Sequence, residues 1–169
     1  MAERSVTIRA QVGDVDPDLA FAKLRDFRSY AEHVDVVRDI SLDVDAEGNQ
    51  LSSWSVWFRS GLLEWTERDV VDEAGRTLSF EQVTGDLARF DGAWQVSTGD
   101  TGVTIAFDAV VDLGIPSLAD MLDPLAERAL RTNTADILRG LFGPDIRFVR
   151  DDASSGGRTN GIEVGSAAS

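Results

Sequence analysis

This chain of 169 residues contains no cysteine and a single histidine, His33. It therefore has no disulfide framework, no thiolate nucleophile and no thiolate metal site, and a reducing compartment is its natural home. One histidine and no cysteine also exclude the common zinc patterns, and no acidic run has the spacing of a calcium loop, so no metal or other cofactor is expected. Missing too are a GxGxxG after a strand, a P-loop and a GxSxG elbow, which sets aside nucleotide and serine-hydrolase chemistry. Positive charge is scarce: 16 Lys and Arg stand against 30 Asp and Glu, a formal net charge of −14. Such a balance repels polyphosphate and anionic lipid, so neither nucleic acid nor a membrane surface is an expected partner. No window approaches the ~20 apolar residues that cross a bilayer, and Met1 to Val6 carries no apolar leader core. The expectation is a soluble, unexported, cytoplasmic protein.

What remains is an ordinary globular composition, 43% hydrophobic, in one domain over residues 1–150 long enough to bury a core and a cavity. Residues 151–169 are rich in Ser, Gly and Ala and read as a disordered tail. Ser5 to Gly13 alternates Val6, Ile8, Ala10 and Val12 against polar residues, the pattern of a half-buried strand. Asp16-Pro17 supplies an N-cap and a first-turn proline for a helix to about Asp26, and Ser29 to Val34 makes a second short helical turn. Val36 to Val44, Gln50 to Ser60, Leu62 to Asp72, Arg76 to Thr84, Ala88 to Ser97 and Gly102 to Asp112 follow as strands joined by short turns, which implies an antiparallel meander. After Gly114 the period becomes helical: Asp123 and Pro124 suit a helix start, and Leu130, Asn133, Ile137 and Leu141 share one face before Gly143-Pro144. Ser117 to Leu122 is either a separate turn or an extension of that helix. The predicted fold is α+β: seven strands in a curved antiparallel sheet around a long C-terminal helix, with two short helices after strand 1 and an internal cavity, a helix-grip architecture.

The chemistry concentrates in Leu62 to Val71. In one register Glu67 and Asp69 share a face with Leu63, Trp65 and Val71, which places two carboxylates in an apolar pocket. Burial and mutual repulsion then raise a carboxyl pKa and prepare a general acid or base without a metal. In the opposite register, supported by Leu62 and Val70, both are solvated charges on the outside of the sheet. Trp54, Val56 and Phe58 lie on one face of the third strand, as core or cavity wall. Trp57 and Arg59 lie on the other, where with Ser53 and Ser55 they offer a face for a homodimer if the protein is not a monomer. Lys23, Arg25, Arg28 and Arg38 cluster early in the chain, either to receive an acidic partner or to keep a helix soluble. Asn133 interrupts an apolar stripe and is a ligand contact or a bond to backbone. Trp94 borders the pocket or is structural.

Asp26-Phe27-Arg28-Ser29-Tyr30, Glu64-Trp65, Gly75-Arg76-Thr77, Gly92-Ala93-Trp94, Gly102-Val103-Thr104 and Arg131-Thr132-Asn133, in this order and spacing, resemble the polyketide cyclase branch of the START-like superfamily, with its aromatase/cyclases. The resemblance spans about residues 4 to 143. It implies a cavity beneath the long helix that takes a polyketide, free or borne by an acyl carrier protein, and directs ring closure and dehydration. It makes Trp65 a cavity wall and puts Tyr30 near the mouth, with His33 in the same segment as either a proton shuttle or a surface residue. Where aligned aromatase/cyclases tend to have an arginine and a small hydroxyl on the fourth strand, this sequence has Asp69 and Glu67; where a second arginine is usual on the fifth, it has Gln82. An arginine stabilises an enolate by charge, whereas a carboxylate gives or takes a proton. The expected catalytic set is therefore Asp69, Glu67 and Gln82, with Trp65, Tyr30, His33, Trp54, Phe58, Phe80, Trp94 and Asn133 around the substrate. The other function compatible with the same cavity is a non-catalytic carrier of a lipid, quinone or polyketide.

Overall fold

The computed structural model describes residues 4–58, 61–100, 102–112 and 119–149, without the side chains of Phe58 and of residues 119–126. β1 (Arg4–Gly13) leads to α1 (Pro17–Arg25), a 3-10 turn (Phe27–Ser29) and α2 (Tyr30–His33). Next come β2 (Val37–Val44), β3 (Gln50–Phe58), β4 (Gly61–Asp72), β5 (Thr77–Gly85), β6 (Arg89–Gly99) and β7 (Gly102–Asp112), then α3 (Ala119–Phe142) and β8 (Arg147–Val149). The strands form one curved antiparallel sheet in the order β2-β3-β4-β5-β6-β7-β1-β8. The meander from β2 to β7 follows from its short turns, and β1 closes onto β7 in register Ile8↔Phe107. Asp16 caps α1 as its sequence indicates, its carboxylate accepting from the Asp18 amide at 2.9 Å.

Two elements differ from expectation. The sheet has eight strands, because Arg147–Val149 pairs with Arg9 to Gln11 on the free edge of β1. Three residues are too short to show a period. α3 begins at Ala119, so Asp123 and Pro124 lie within it and Asp123 is not its N-cap; the part of Ser117 to Leu122 from Ala119 onward is an extension of the helix. Arg59 and the tail from 151 to 169 lie outside the described residues.

The core lies between the concave face of the sheet and α3, where Ile137, Leu138 and Leu141 meet Val6, Ile8, Ile105 and Phe107. α2 packs tightly on α3, since a Cβ at Gly140 would stand 2.6 Å from the His33 carbonyl oxygen. The inward faces of β3 and β4, at one end of this layer, carry the polar residues of the cavity.

Candidate functional site

β4 adopts the register in which its carboxylates turn inward. Trp65 and Glu67 pair across to Trp54 and Ser52 of β3, and Glu67 and Asp69 are each only 3% exposed. Glu64, which the opposite register would bury, is exposed. On the other side, the pairing runs Thr66↔Thr84 and then Glu67↔Gln82, so Val83 is an extra residue on β5. That bulge keeps Gln82 inward, opposite Glu67, while letting Gly85 lie against Trp65.

A cavity of about 90 Å³ lies between sheet and helix. Trp54, Val56, Leu63, Trp65, Phe80 and Trp94 supply sheet walls, and Leu130, Asn133, Thr134 and Ile137 close it from α3. Among the described residues lining it, Glu67 is the one ionisable group. An aromatic belt supports it: the Trp54 and Trp65 indoles stack at 5.7 Å with 5° between planes, Trp65 meets Phe90 edge-on at 5.3 Å, and Phe90 meets Phe80 at 5.0 Å. Each such pair adds about 0.5–1.5 kcal/mol beyond area burial, which holds the two indoles in fixed positions.

Those indoles anchor the carboxylates. Trp65 Nε1 donates to Glu67 Oε1 at 2.8 Å, and Trp54 Nε1 donates to Ser52 Oγ at 2.9 Å. Ser52 in turn donates to Asp69 Oδ2 at 2.6 Å, and Gln50 Nε2 donates to the same oxygen at 3.0 Å. Asp69 Oδ1 is buried and has no hydrogen-bond partner among the described residues. Burial first, then the hydrogen bond and charge of Asp69 beside it, raise the Glu67 pKa well above its ordinary value, against the weaker opposing bonds from Trp65 and Ser52. When Glu67 is protonated it can donate to Asp69, whose buried Oδ1 has no other partner among the described residues. The arrangement is therefore one buried acid facing the cavity with one hydrogen-bonded carboxylate behind it.

The structure separates the sequence-predicted residues into groups. Trp54, Trp65, Glu67, Phe80, Trp94 and Asn133 meet at the cavity. Asn133 also serves a structural bond, its Nδ2 donating to the Trp57 carbonyl at 3.2 Å. Asp69 stands behind Glu67, off the cavity wall. Gln82 Nε2 donates to the Leu87 carbonyl at 2.7 Å, and its Oε1 is buried without a partner among the described residues. It faces Glu67 across the strands and does not line the cavity. Tyr30 is not at a mouth: it is fully buried, its hydroxyl donates to the Leu24 carbonyl, and its ring packs on Phe27 at 5.2 Å and Trp54 at 5.6 Å. The same burial, reinforced by the charges of Glu67 and Asp69, raises its pKa well above the ordinary value, which makes it a neutral structural donor. His33 is exposed, with Nδ1 2.8 Å from the Ser29 carbonyl, and borders a separate surface hollow beside Asp136 and Arg139. Phe58 pairs with Gly61 at the end of β3, and its side chain lies outside the described residues.

Sequence reasoning missed Gln50, Ser52 and Thr134. Counting back by twos from Trp54 reaches Ser52 and Gln50, so that signal was present; Thr134 lies beside Asn133 on the helix and carries none. No group of three His, Cys, Asp or Glu suited to a metal occurs among the described residues. Nor is any helix among them long and apolar enough to cross a membrane.

Residues 14–138 match the family described as polyketide cyclase / dehydrase and lipid transport, and the chain belongs to that family. Among solved structures it is similar to TTHA0849 from Thermus thermophilus, with 18% identity and TM-score 0.72 over 82% of this chain and 94% of that one. It is similar to the Zhui aromatase/cyclase from Streptomyces sp. R1128, with 18% identity and TM-score 0.71 over 83% and 92% of the two chains. A START superfamily protein from Mycobacterium smegmatis matches with 15% identity and TM-score 0.66 over 83% and 96%. No curated protein sequence matches significantly. At these identities the solved structures establish the helix-grip fold and leave the reaction to the site itself.

Proposed function

We propose that this protein is a cofactor-independent cyclase that closes rings, eliminates water, or both, on a polyketide-derived intermediate held in its apolar cavity. The observation that carries the reading is Glu67: a buried carboxyl on the cavity wall whose proton is stabilised by burial and by Asp69. Protonated Glu67 donates to a substrate ketone oxygen as an enol carbon attacks the ketone carbon. The enol O–H proton returns to the pair, so the carboxylates end the aldol step with the proton they began with. In dehydration Glu67 gives its proton to the new alcohol's hydroxyl, which leaves as water as the C–O bond breaks, and takes in return the proton lost from the neighbouring carbon as the C=C bond forms, so the pair again ends as it began. Asp69 acts through Glu67 by setting its charge. Acid and base assistance of this kind supplies roughly 10²–10⁴ in rate.

The substrate is neutral and largely apolar where it meets the walls, and it is free or carried by an acyl carrier protein in the cytoplasm. About 90 Å³ is less room than a ring needs, since a dry cavity of about 150 Å³ holds one benzene. A ring-sized ligand widens the gap between α3 and the sheet, a boundary held by side-chain packing and a few hydrogen bonds from α3 side chains to β-strand carbonyls, whereas the strands are hydrogen-bonded along their length. One observation favours a second reading: the wall is apolar apart from Glu67, Asn133 and Thr134, which suits a carrier of lipid, quinone or polyketide.

The test compares wild type with Asp69→Asn on a linear poly-β-ketone, measuring turnover against pH and binding alongside. Loss of turnover with binding retained supports acid/base catalysis by the pair. Unchanged product formation removes the pair from the mechanism, and saturable binding without turnover by either protein supports the carrier.

A further inference from the structure

Ser52 is fully buried on β3, opposite Glu67, and makes two hydrogen bonds whose directions are fixed by chemistry. An indole N–H only donates, so at 2.9 Å from Trp54 Nε1 the serine oxygen is the acceptor. Its own proton is therefore committed to Asp69 Oδ2 at 2.6 Å. Gln50 Nε2 donates to that same oxygen at 3.0 Å. An oxygen receiving two donors is a poor place for a proton, and it stabilises the charged form of its carboxylate. Glu67 receives Trp65 on Oε1 at 2.8 Å, and the Ser52 hydroxyl, whose short bond goes to Asp69 Oδ2, acts on it only weakly. Two carboxylates on one face of one strand are thus made unequal by what stands opposite them on β3.

We propose that Ser52 is a positioning residue that decides which carboxylate carries the shared proton, by donating to Asp69 while Trp54 locks its hydroxyl. The role deepens the reading of Glu67 as the cavity-facing acid and rests on it for its functional meaning. The titratable groups that act on Asp69 from the surrounding elements are Glu67 on its own strand and Tyr30 from α2. Residues of β3 and β5 facing it, Ser52, Gln50 and Phe80, are not titratable in this range, and neither are the cavity residues of α3, Leu130, Asn133, Thr134 and Ile137. The apolar wall thus leaves the serine hydrogen bond as a large influence on where the proton sits.

The experiment is a pH titration of the side-chain carboxyl carbons of Asp69 and Glu67 by NMR in wild type, Ser52→Ala, Ser52→Thr and Trp54→Phe. In wild type, the first proton taken up as pH falls appears on Glu67. Ser52→Ala removes a bond to Asp69 Oδ2, so the first proton, instead of appearing on Glu67 alone, divides between both carbons. Ser52→Thr, which keeps the hydroxyl, restores the wild-type order. If Ser52→Ala does not fold, Trp54→Phe carries the test: it unlocks the hydroxyl and moves the first proton toward Asp69 in the same direction but by less. A first proton unmoved in the folded variants, or on Asp69 in wild type, overturns the proposal. The titration needs no substrate, so a protein that binds without turnover tests it equally, and a failed activity assay leaves this outcome readable.

Discussion

Glu67→Gln converts the buried acid into a permanent copy of its protonated form. The amide oxygen replaces Oε1 as the acceptor from Trp65, and the amide nitrogen supplies a donor toward Asp69 Oδ1, the atom without a partner. The folded protein holds the Glu67 proton above the ordinary glutamate value of 4.5, whereas the unfolded chain has released it. Between 4.5 and the raised folded value, wild type therefore loses stability as pH rises, by up to about 1.4 kcal/mol per pH unit. Below 4.5 both states are protonated and the difference vanishes. Glu67→Gln lacks this loss, so its advantage is near zero at pH 4 and grows above pH 5, by about 3–6 °C in Tm per pH unit for a chain of this size until the folded value is reached. Paired thermal melts at half-unit intervals from pH 4 to 8 check this. Turnover by the variant falls at least about 100-fold while ligand binding stays within a few-fold. A Tm difference independent of pH would falsify the raised pKa and, with it, the assignment of Glu67 as the acid.

Two other substitutions follow from the same geometry. Gly85→Ala sets a methyl 2.4 Å from Trp65 Cβ at a backbone φ of +149°, which costs about 2–3 kcal/mol through overpacking and strain; thermal melts should show Tm falling by about 4–12 °C, and a variant as stable as wild type would contradict the packing of Trp65. His33→Ala changes turnover less than about twofold, because the ring is solvent-exposed beside a separate hollow and surface substitutions of this kind are nearly neutral. A large loss in its kcat would return His33 to the mechanism.

The sequence carried the sheet well because β7 and β1 alternate cleanly, and Val103 to Val111 has one possible buried side. Leu62 to Val71 was ambiguous for a physical reason: hydrophobic residues stand at both parities, with Leu63 and Val71 on one and Leu62 and Val70 on the other. Pairing with β3 resolves it, since Trp65 must share a face with Trp54. The bulge at Val83 is invisible to any period of two, because the extra residue is defined only by its partner strand. Tyr30 is placed near the mouth by resemblance, and its local sequence gives no sign that its hydroxyl is satisfied by the Leu24 carbonyl. That Ser52 and Gln50 donate to Asp69 behind Glu67 could not be read from the sequence, because they look like ordinary strand polarity until the facing strand is in place.

The closeness of the cavity has a kinetic consequence. If a ligand larger than the roughly 90 Å³ between sheet and helix must first widen that gap, association waits on a conformational change and is slower than encounter. Under excess ligand, the observed association rate should rise at low concentration and then level off at the rate at which α3 parts from the sheet. Two ligands of different affinity that reach the same plateau would be timed by the protein itself, and the spacing between α3 and β4 would then be the clock that limits how quickly any substrate reaches the acid.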